Sequence, residues 1–276
     1  HAAEKSHYTG TTIANLQGPF RLGPLSGAAA SPTDRVGMQA AYMGLVPVEW
    51  RPLLGWPAFT GMAGGTASIV TRLSYGPTLT GFDPDQVGGV RSIQMLLGYP
   101  TEHHDLGDWD QVTPYRATAG ATYGGFAFPN GSRSVLFVGS SGEAFCYGKG
   151  TDIQSLHGQP VPNDPPWIFC WDPLQVGTNG VHGYPRLTRL WHYDANDLLA
   201  VKTGSRQPWD LRPTLLPMTG PMSNVPHING AAYDQANNRW YIYDGGPEAK
   251  VSVYRVDLGG GSNDPAPAPP QNFRNQ

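Results

Sequence analysis

Short runs of β-branched and aromatic residues, each closed by glycine, proline, asparagine or serine, repeat along the chain. The clearest example spans residues 124–148, where Phe126 and Phe128 alternate with small residues. A Pro-Asn-Gly-Ser turn follows, and residues 134–138 then form a strongly β-prone run. Apolar runs bounded by turn-forming residues are typical of antiparallel meanders. The pattern therefore predicts β-strands joined by tight turns.

The same order of features occurs three times: small residues with an aromatic, a turn through Asp, Asn or Pro, and a strong strand. The repeats span residues 69–97, 125–193 and 230–256. A meander of three or four strands that repeats radially is the blade of a β-propeller. We therefore predict an all-β fold, a β-propeller or partial propeller built from four-stranded antiparallel meander blades. About three to four blade-equivalents fit at the roughly 40–50 residues of known blades.

The pattern also sets the domain boundaries and the irregular segments. Residues 1–258 are predicted to form the propeller-like domain, and residues 259–276 a Gly/Pro-rich linker or tail. Residues 151–180 are predicted to form a long loop, and loops of that length are either functional or tied down. Residues 194–197 are predicted as a turn, followed at 198–202 by a short strand or a single helical turn.

The composition supports a sheet protein and excludes some partners. The chain has 36 glycines, 27 prolines and 14% charged residues, which is well below the ~25% of typical soluble domains. Many turn-formers and few charges suit short strands with many loops. The net charge of -3 provides no basic field, so a nucleic-acid partner is not expected. No apolar run approaches the ~20 residues of a membrane span.

The two cysteines, Cys146 and Cys170, are each flanked by aromatic residues. They allow two interpretations: a reactive thiol pair, or a structural disulfide between neighbouring strands or loops. We favour the disulfide, which would tie down the long loop at 151–180. Disulfides persist in oxidising compartments, so this interpretation predicts a secreted or cell-surface protein.

Several long segments together resemble a group of secreted bacterial proteins of unassigned function that are predicted to be propeller-like. The segments are GGFAFPNGSRSVLFVGSSGEAFCYG, VHGYPRLTRLWHYDANDLLAVKTG and INGAAYDQANNRWYIYD, together with SHYTG and SIVTRLSYGPTLTGFDPDQVG upstream. The resemblance extends from about residue 6 to residue 257, and its motifs are distinctive as a set.

This resemblance has three implications. Relatives carry further blade-like sequence before the segment matching residues 6–8, so the chain is expected to begin partway through a propeller. Residues 267–276 (PAPPQNFRNQ) are similar to the start of a fibronectin type III-like module, so another domain is expected to follow. The family brings no known catalytic residues, and none can be assigned to this chain from it.

The most polar short stretch, residues 101–110, is the first candidate site. It contains Glu102, His103, His104, Asp105, Asp108 and Asp110. Imidazoles and carboxylates can bind a transition metal, but adjacent histidines on a strand point to opposite faces. The spacing matches no established metal motif, and Asx turns account for the other Asp-rich segments that could offer oxygens to calcium. No metal or other cofactor is therefore predicted.

Further candidates are Arg72 and Tyr75, near predicted strand ends, and His182 in a Gly- and Pro-rich loop. Together with His103, His104 and Asp105 they would form a ligand-binding site if the loops converge at the mouth of a propeller. A loop histidine bonded to backbone is an equally good interpretation of His182.

These observations support three hypotheses about function. The favoured one is an extracellular, non-catalytic propeller module that acts in binding or structural assembly at the cell surface, with a glycan or another surface component as partner. The alternative is a secreted hydrolase or lyase that acts on a polysaccharide at the propeller mouth. The third is a fragment that works beside a partner chain supplying further blades, because an open propeller exposes a sheet edge.

Overall fold

In a computed structural model of the chain, the described residues form mostly β-strands, with two short α-helices among them. The described residues are 3–8, 16–22, 41–62, 76–86, 94–99, 102–103, 107–108, 121–220, 222, 225, 228–245 and 250–256. Residues 3–8, 16–22, 102–103 and 107–108 are described by their backbone alone. Because nearly all strand pairs are antiparallel, the predicted all-β class is confirmed.

The strands, in chain order, are β1 (Ala3–Tyr8), β2 (Leu16–Leu22), β3 (Tyr42–Leu45), β4 (Ala58–Gly61), β5 (Leu79–Phe82), β6 (Gln94–Leu97), β7 (Glu102–His103), β8 (Gly107–Asp108), β9 (Thr122–Ala127), β10 (Ser134–Gly142), β11 (Cys146–Thr151), β12 (Phe169–Trp171), β13 (Asn179–His182), β14 (Arg186–Asp194), β15 (Thr214–Leu216), β16 (Gly230–Asp234), β17 (Arg239–Tyr243) and β18 (Val251–Arg255). The helices are α1 (Arg51–Leu54) and α2 (Ala195–Lys202).

Three of the sheets are meanders whose strands pair in chain order. The first sheet is β3-β4-β5-β6, the second sheet is β9-β10-β14-β15, and the third sheet is β16-β17-β18. The sheets overlap the three predicted repeats, but the first sheet begins at residue 42 and not at 69, and the second sheet ends at residue 216 and not at 193. The third sheet has three described strands where the pattern predicted four. Two separate hairpins, β1-β2 and β7-β8, complete the described antiparallel pairs outside residues 143–185.

The second sheet lies between the other two, because both of its faces are apolar. Phe137 and Trp191 belong to one face, which packs with first-sheet residues such as Phe59 in one buried cluster. Ala127 and Val138 belong to the opposite face and pack with Trp240 and Ile242 of the third sheet. Aromatic contacts strengthen the first junction, with the Tyr42 and Phe126 rings 5.9 Å apart. The alternation along β10 and β14 thus produces a stack of three sheets.

The first strands of the three sheets, β3, β9 and β16, contact one another. Small residues allow this approach: a Cβ atom at Gly44 would lie 2.8 Å from the Phe126 ring. At one end of the three strands, the side-chain amide of Gln235 donates to the Leu45 carbonyl at 2.9 Å and to the Phe128 carbonyl at 3.1 Å. One glutamine therefore links the first strands of the three sheets at this end.

Helix α2 corrects the prediction for residues 194–202. The structure has two helical turns there, where the pattern predicted a turn followed by a short strand or one helical turn. Asp194 caps the helix, since its carboxylate accepts the Asn196 backbone N–H at 2.8 Å. Leu198 and Val201 bury the inner side of the helix in the cluster between the first and second sheets.

Residues 143–185 interrupt the second sheet between β10 and β14, and we refer to them as the insertion. It contains a small sheet in the order β12-β11-β13, with a 3₁₀ turn at Gln154–Leu156. Strands β11 and β12 are parallel, whereas β11 and β13 are antiparallel. The prediction of a long loop at 151–180 was therefore wrong in part, because β12 and the start of β13 lie within it and pair with β11.

The predicted disulfide is confirmed and lies in this insertion. Cys146 and Cys170 are bonded, with their Cα atoms 5.8 Å apart. The bond joins β11 to β12 next to their parallel pairing. It therefore fixes the start of the insertion to its middle.

Candidate functional site

The structure describes only part of the predicted candidate set. His182 is described with its side chain, at the end of β13. His103 is described by its backbone in β7, which pairs with β8. Arg72, Tyr75, His104 and Asp105 lie outside the described residues. The grouping of these six residues into one site at a propeller mouth stays a prediction.

His182 lines a cavity in the insertion, with a volume of about 380 Å³. The lining residues are Ala144, Cys146, Gln154, His157, Trp171, His182 and Tyr184. They come from all three strands of the small sheet and from the segments beside it. This volume falls within the ~300–1,000 Å³ of small-molecule sites.

A second, much smaller cavity lies at the ends of β3, β9 and β16. Its volume is about 60 Å³, and it is lined by Gly44, Leu45, Phe126, Phe128, Tyr233 and Gln235. That volume is well below the range of ligand sites. Of these two cavities, only the one in the insertion is large enough to hold a small ligand.

Two aromatic side chains form one wall of the insertion cavity. The rings of Trp171 and Tyr184 meet edge to face, with centroids 4.8 Å apart. Both side chains are half-buried, so part of each ring faces solvent. Trp171 is held at the end of β12 by its pairing with Thr151, beside the disulfide. The wall is therefore fixed by the sheet and the covalent bond.

A buried acid–histidine pair supports the floor of the cavity. Nδ1 of His182 lies 3.1 Å from Oδ2 of Asp172, and both side chains are 1% exposed. Nε2 of His182 lies 3.1 Å from the carbonyl oxygen of Thr178. Each ring nitrogen therefore faces an oxygen atom, one of the Asp172 carboxylate and one of the Thr178 carbonyl. His182 thus presents no uncommitted ring nitrogen to a ligand.

Asp172 is also held by its own segment and lies near the buried cation of Arg186. Its Oδ1 accepts the Leu174 backbone N–H at 3.1 Å. Arg186 is buried, and its Nε atom has no hydrogen-bond partner among the described residues. Burial lowers the pKa of the Arg186 guanidinium, and the negative charge of Asp172 opposes that change. The carboxylate therefore contacts the His182 ring and favours the charged form of the buried Arg186 guanidinium.

The polar groups of the cavity are donors held at its edge. Nδ1 of His157 accepts the Trp171 backbone N–H at 3.1 Å, so the neutral ring carries its proton on Nε2. Gln154 and His157 are both exposed, and the 3₁₀ turn positions them. An amide and an imidazole N–H are thus available to a ligand beside the aromatic wall.

Within the described residues, no group of three or more His, Cys, Asp or Glu side chains could hold a metal ion. Most of the polar stretch 101–110 is outside the described part, so its metal-binding potential is untested. No helix in the described ranges is both long and apolar enough to cross a membrane.

Comparisons with known proteins identify no relative. No family model matches the chain, and neither the curated proteins nor the solved structures contain a match. The resemblance to secreted propeller-like proteins stays a prediction.

Sequence reasoning pointed to His182 but missed the residues around it. Gln154, His157, Trp171 and Tyr184 lie in what the pattern predicted as a loop and its edge. One signal was present: Trp171 directly follows Cys170, so a disulfide would fix an aromatic at a known point. The local sequence pattern does not indicate that Asp172 contacts His182, because this contact depends on how β12 and β13 pair with β11.

Proposed function

We propose that this protein is an extracellular, non-catalytic binding module, and that the cavity in the insertion binds a saccharide. One observation carries the proposal: an aromatic-walled cavity with hydrogen-bond donors at its edge lies on a disulfide-tied insertion. The disulfide supports an oxidising, extracellular location. A glycan at the surface of a cell or in its matrix is the proposed partner.

The scaffold is proposed to be a partial β-propeller. Support comes from the three meanders stacked face to face and from the contacts among their first strands, β3, β9 and β16. In a propeller, the first strand of each blade lines the central axis. The proposed relation to secreted bacterial propeller-like proteins rests on the segments quoted above. In this scheme the insertion projects from the middle blade and carries the binding site.

The chemistry of the cavity favours a saccharide over other small ligands. A sugar ring has an apolar face of C–H groups, which can pack on the exposed parts of Trp171 and Tyr184. Its hydroxyl groups can accept hydrogen bonds from Gln154 and from Nε2–H of His157. A cavity that combines apolar walls with a few fixed polar groups is typical of specific small-ligand sites.

The same cavity supports binding over polysaccharide hydrolysis. Most glycoside hydrolases use a pair of carboxyl groups about 5–9.5 Å apart across the bond that breaks. The residues that line this cavity include no Asp or Glu. A general base needs an available nitrogen or oxygen, and both ring nitrogens of His182 are engaged.

Trp171→Ala is expected to weaken saccharide binding by about tenfold or more, because it removes half of the aromatic wall. The fold should survive, since the side chain is half-buried at the surface of the insertion. We would first screen wild-type protein against an array of oligosaccharides of hexoses, hexosamines and uronic acids. The affinity of both proteins for the best binder would then be measured by isothermal titration calorimetry.

The matched control is Trp167→Ala. Trp167 belongs to the same insertion and packs against Tyr147 at 5.5 Å, but it does not line the cavity. It should bind like the wild type. Equal affinity of wild type and Trp171→Ala, or no saturable binding anywhere on the array, would contradict the proposal. Cleavage of a bound oligosaccharide would instead support the hydrolase or lyase alternative.

A further inference from the structure

The third sheet has one buried face and one exposed face. Trp240 and Ile242 lie on the buried face, against the second sheet. The opposite face carries apolar residues that remain exposed: Tyr243 is 39% exposed, Val251 58% and Val253 55%. Exposed apolar patches of this kind mark interaction surfaces. We call this surface the outer face of the third sheet.

The strand register arranges the outer face as three rows of three residues. The rows are Gly230–Tyr243–Val251, Ala232–Tyr241–Val253 and Asp234–Arg239–Arg255. Two rows are apolar, and the third is charged. Each row has its smallest or acidic residue on β16, and a valine or arginine on β18. The inference rests on this difference in residue size and charge between the two edge strands, β16 and β18.

We propose that the outer face binds the outer face of a second copy of this chain. The second sheet already shows that meander sheets of this protein bury a face against another sheet. Two sheets of like shape pack with nearly aligned strands. A symmetric dimer with its twofold axis along β17 satisfies this geometry, because the axis places β16 of one copy over β18 of the other.

This axis makes β16 and β18 complementary in size, and it places Tyr241 and Tyr243 of β17 over their own symmetry mates. Gly230 lies over Val251 of the partner subunit, and Ala232 lies over Val253 of the partner subunit. Each small residue of β16 leaves room for a valine of β18, and the tyrosine rings on the axis pack side by side. Rotation about an axis perpendicular to the strands would instead place the charged row over apolar residues, at a desolvation cost.

The same axis makes the charged row complementary at its ends and repulsive at its centre. Asp234 lies near Arg255 of the partner subunit, and this pair occurs twice. Arg239 lies near its own symmetry mate, which is a like-charge contact. Asp234 and Arg239 are already cross-strand neighbours within one copy. The two arginines of one row should therefore affect dimerisation in opposite directions.

The dimer is expected to be weak, because the outer face supplies only its three rows of three residues. Standard interfaces use about 20–30 residues a side. A dissociation constant in the order of micromolar to hundreds of micromolar is the corresponding expectation. This inference is independent of the saccharide site, which lies in the insertion.

Sedimentation velocity of the full chain, from about 5 to 500 µM, tests the proposal. The wild type should shift from monomer to dimer across this range. Val251→Asp should raise the dissociation constant by at least about tenfold. Arg255→Gln should raise it by about two- to fivefold, whereas Arg239→Gln should lower it by a similar factor.

The matched control is Val176→Asp, which changes a valine of similar exposure, 55%, in the insertion. It should dimerise like the wild type. Circular dichroism establishes whether each variant is folded. If Val251→Asp is not folded, the two arginine variants still test the proposal. A wild type that stays monomeric throughout overturns the proposal and leaves the outer face to another partner. The same change in affinity for both arginine variants also overturns this symmetry.

Discussion

Asp172→Ala should lower the free energy of unfolding by about 3–5 kcal/mol, the range for removing one partner from a buried ion pair. The substitution removes the Asp172 carboxylate from Nδ1 of the buried His182 ring, which keeps its contact with the Thr178 carbonyl through Nε2. It also removes the acceptor of the Leu174 N–H and the negative charge that stabilises buried Arg186. Urea unfolding followed by tryptophan fluorescence measures the loss.

Asp164→Ala is the matched control for this variant. Asp164 is in the same insertion, and its carboxylate pairs with Lys149 at 3.8 Å where both side chains are substantially exposed. Exposed pairs contribute about 0–1 kcal/mol. A double-mutant cycle with His182→Ala would isolate the coupling between Asp172 and His182. If Asp172→Ala were no more destabilising than Asp164→Ala, the buried pair would not hold the floor of the cavity.

Replacement of both cysteines, Cys146→Ser with Cys170→Ser, is expected to destabilise the protein by about 3.5 kcal/mol. The bond closes a loop between residues 24 apart in sequence, and in the chain-entropy model a loop of this length contributes that amount. Saccharide binding should also weaken, because the bond fixes β12 and the adjacent Trp171 against β11. Chemical denaturation and calorimetry measure the two effects.

Reduction of the wild type provides the control for the cysteine variant. Reduced wild type should match the double variant in stability, and the double variant should not respond to reductant. A double variant with full stability and full affinity would show that the parallel pairing of β11 and β12 persists without the bond.

Local pattern predicted most of the antiparallel fold, because hairpins depend on residues close in sequence. The residues from Phe126 to Val138 specify β9, its turn and β10 through alternation and a Pro-Asn-Gly-Ser sequence. Helix α2 was underestimated even though Asp194 and Asp197 provide a capping residue and a first-turn acid. Asp and Asn at residues 194–197 are typical of a turn, but in this chain Asp194 caps the helix that follows.

The site could be predicted much less well, since it depends on contacts between distant segments. Cys146 and Cys170 could be paired because the chain has no other cysteines. The parallel pairing of β12 with β11 has no local signature, yet it places Trp171 opposite Thr151. Nothing in the local sequence pattern indicates that the Asp172 carboxylate meets the His182 ring. The aromatic wall and its buried support thus follow from tertiary pairing.

The most direct test of the central claim is to locate the binding site by ¹H–¹⁵N NMR during titration with the best oligosaccharide from the array. Saturable shifts at the Trp171 indole, the Gln154 side-chain amide and the backbone of His157 are predicted. The resonances of the Gln235 side-chain amide, at the ends of β3, β9 and β16, should not shift. Shifts concentrated at Gln235 and the ends of β3, β9 and β16, with none in the insertion, would contradict the account.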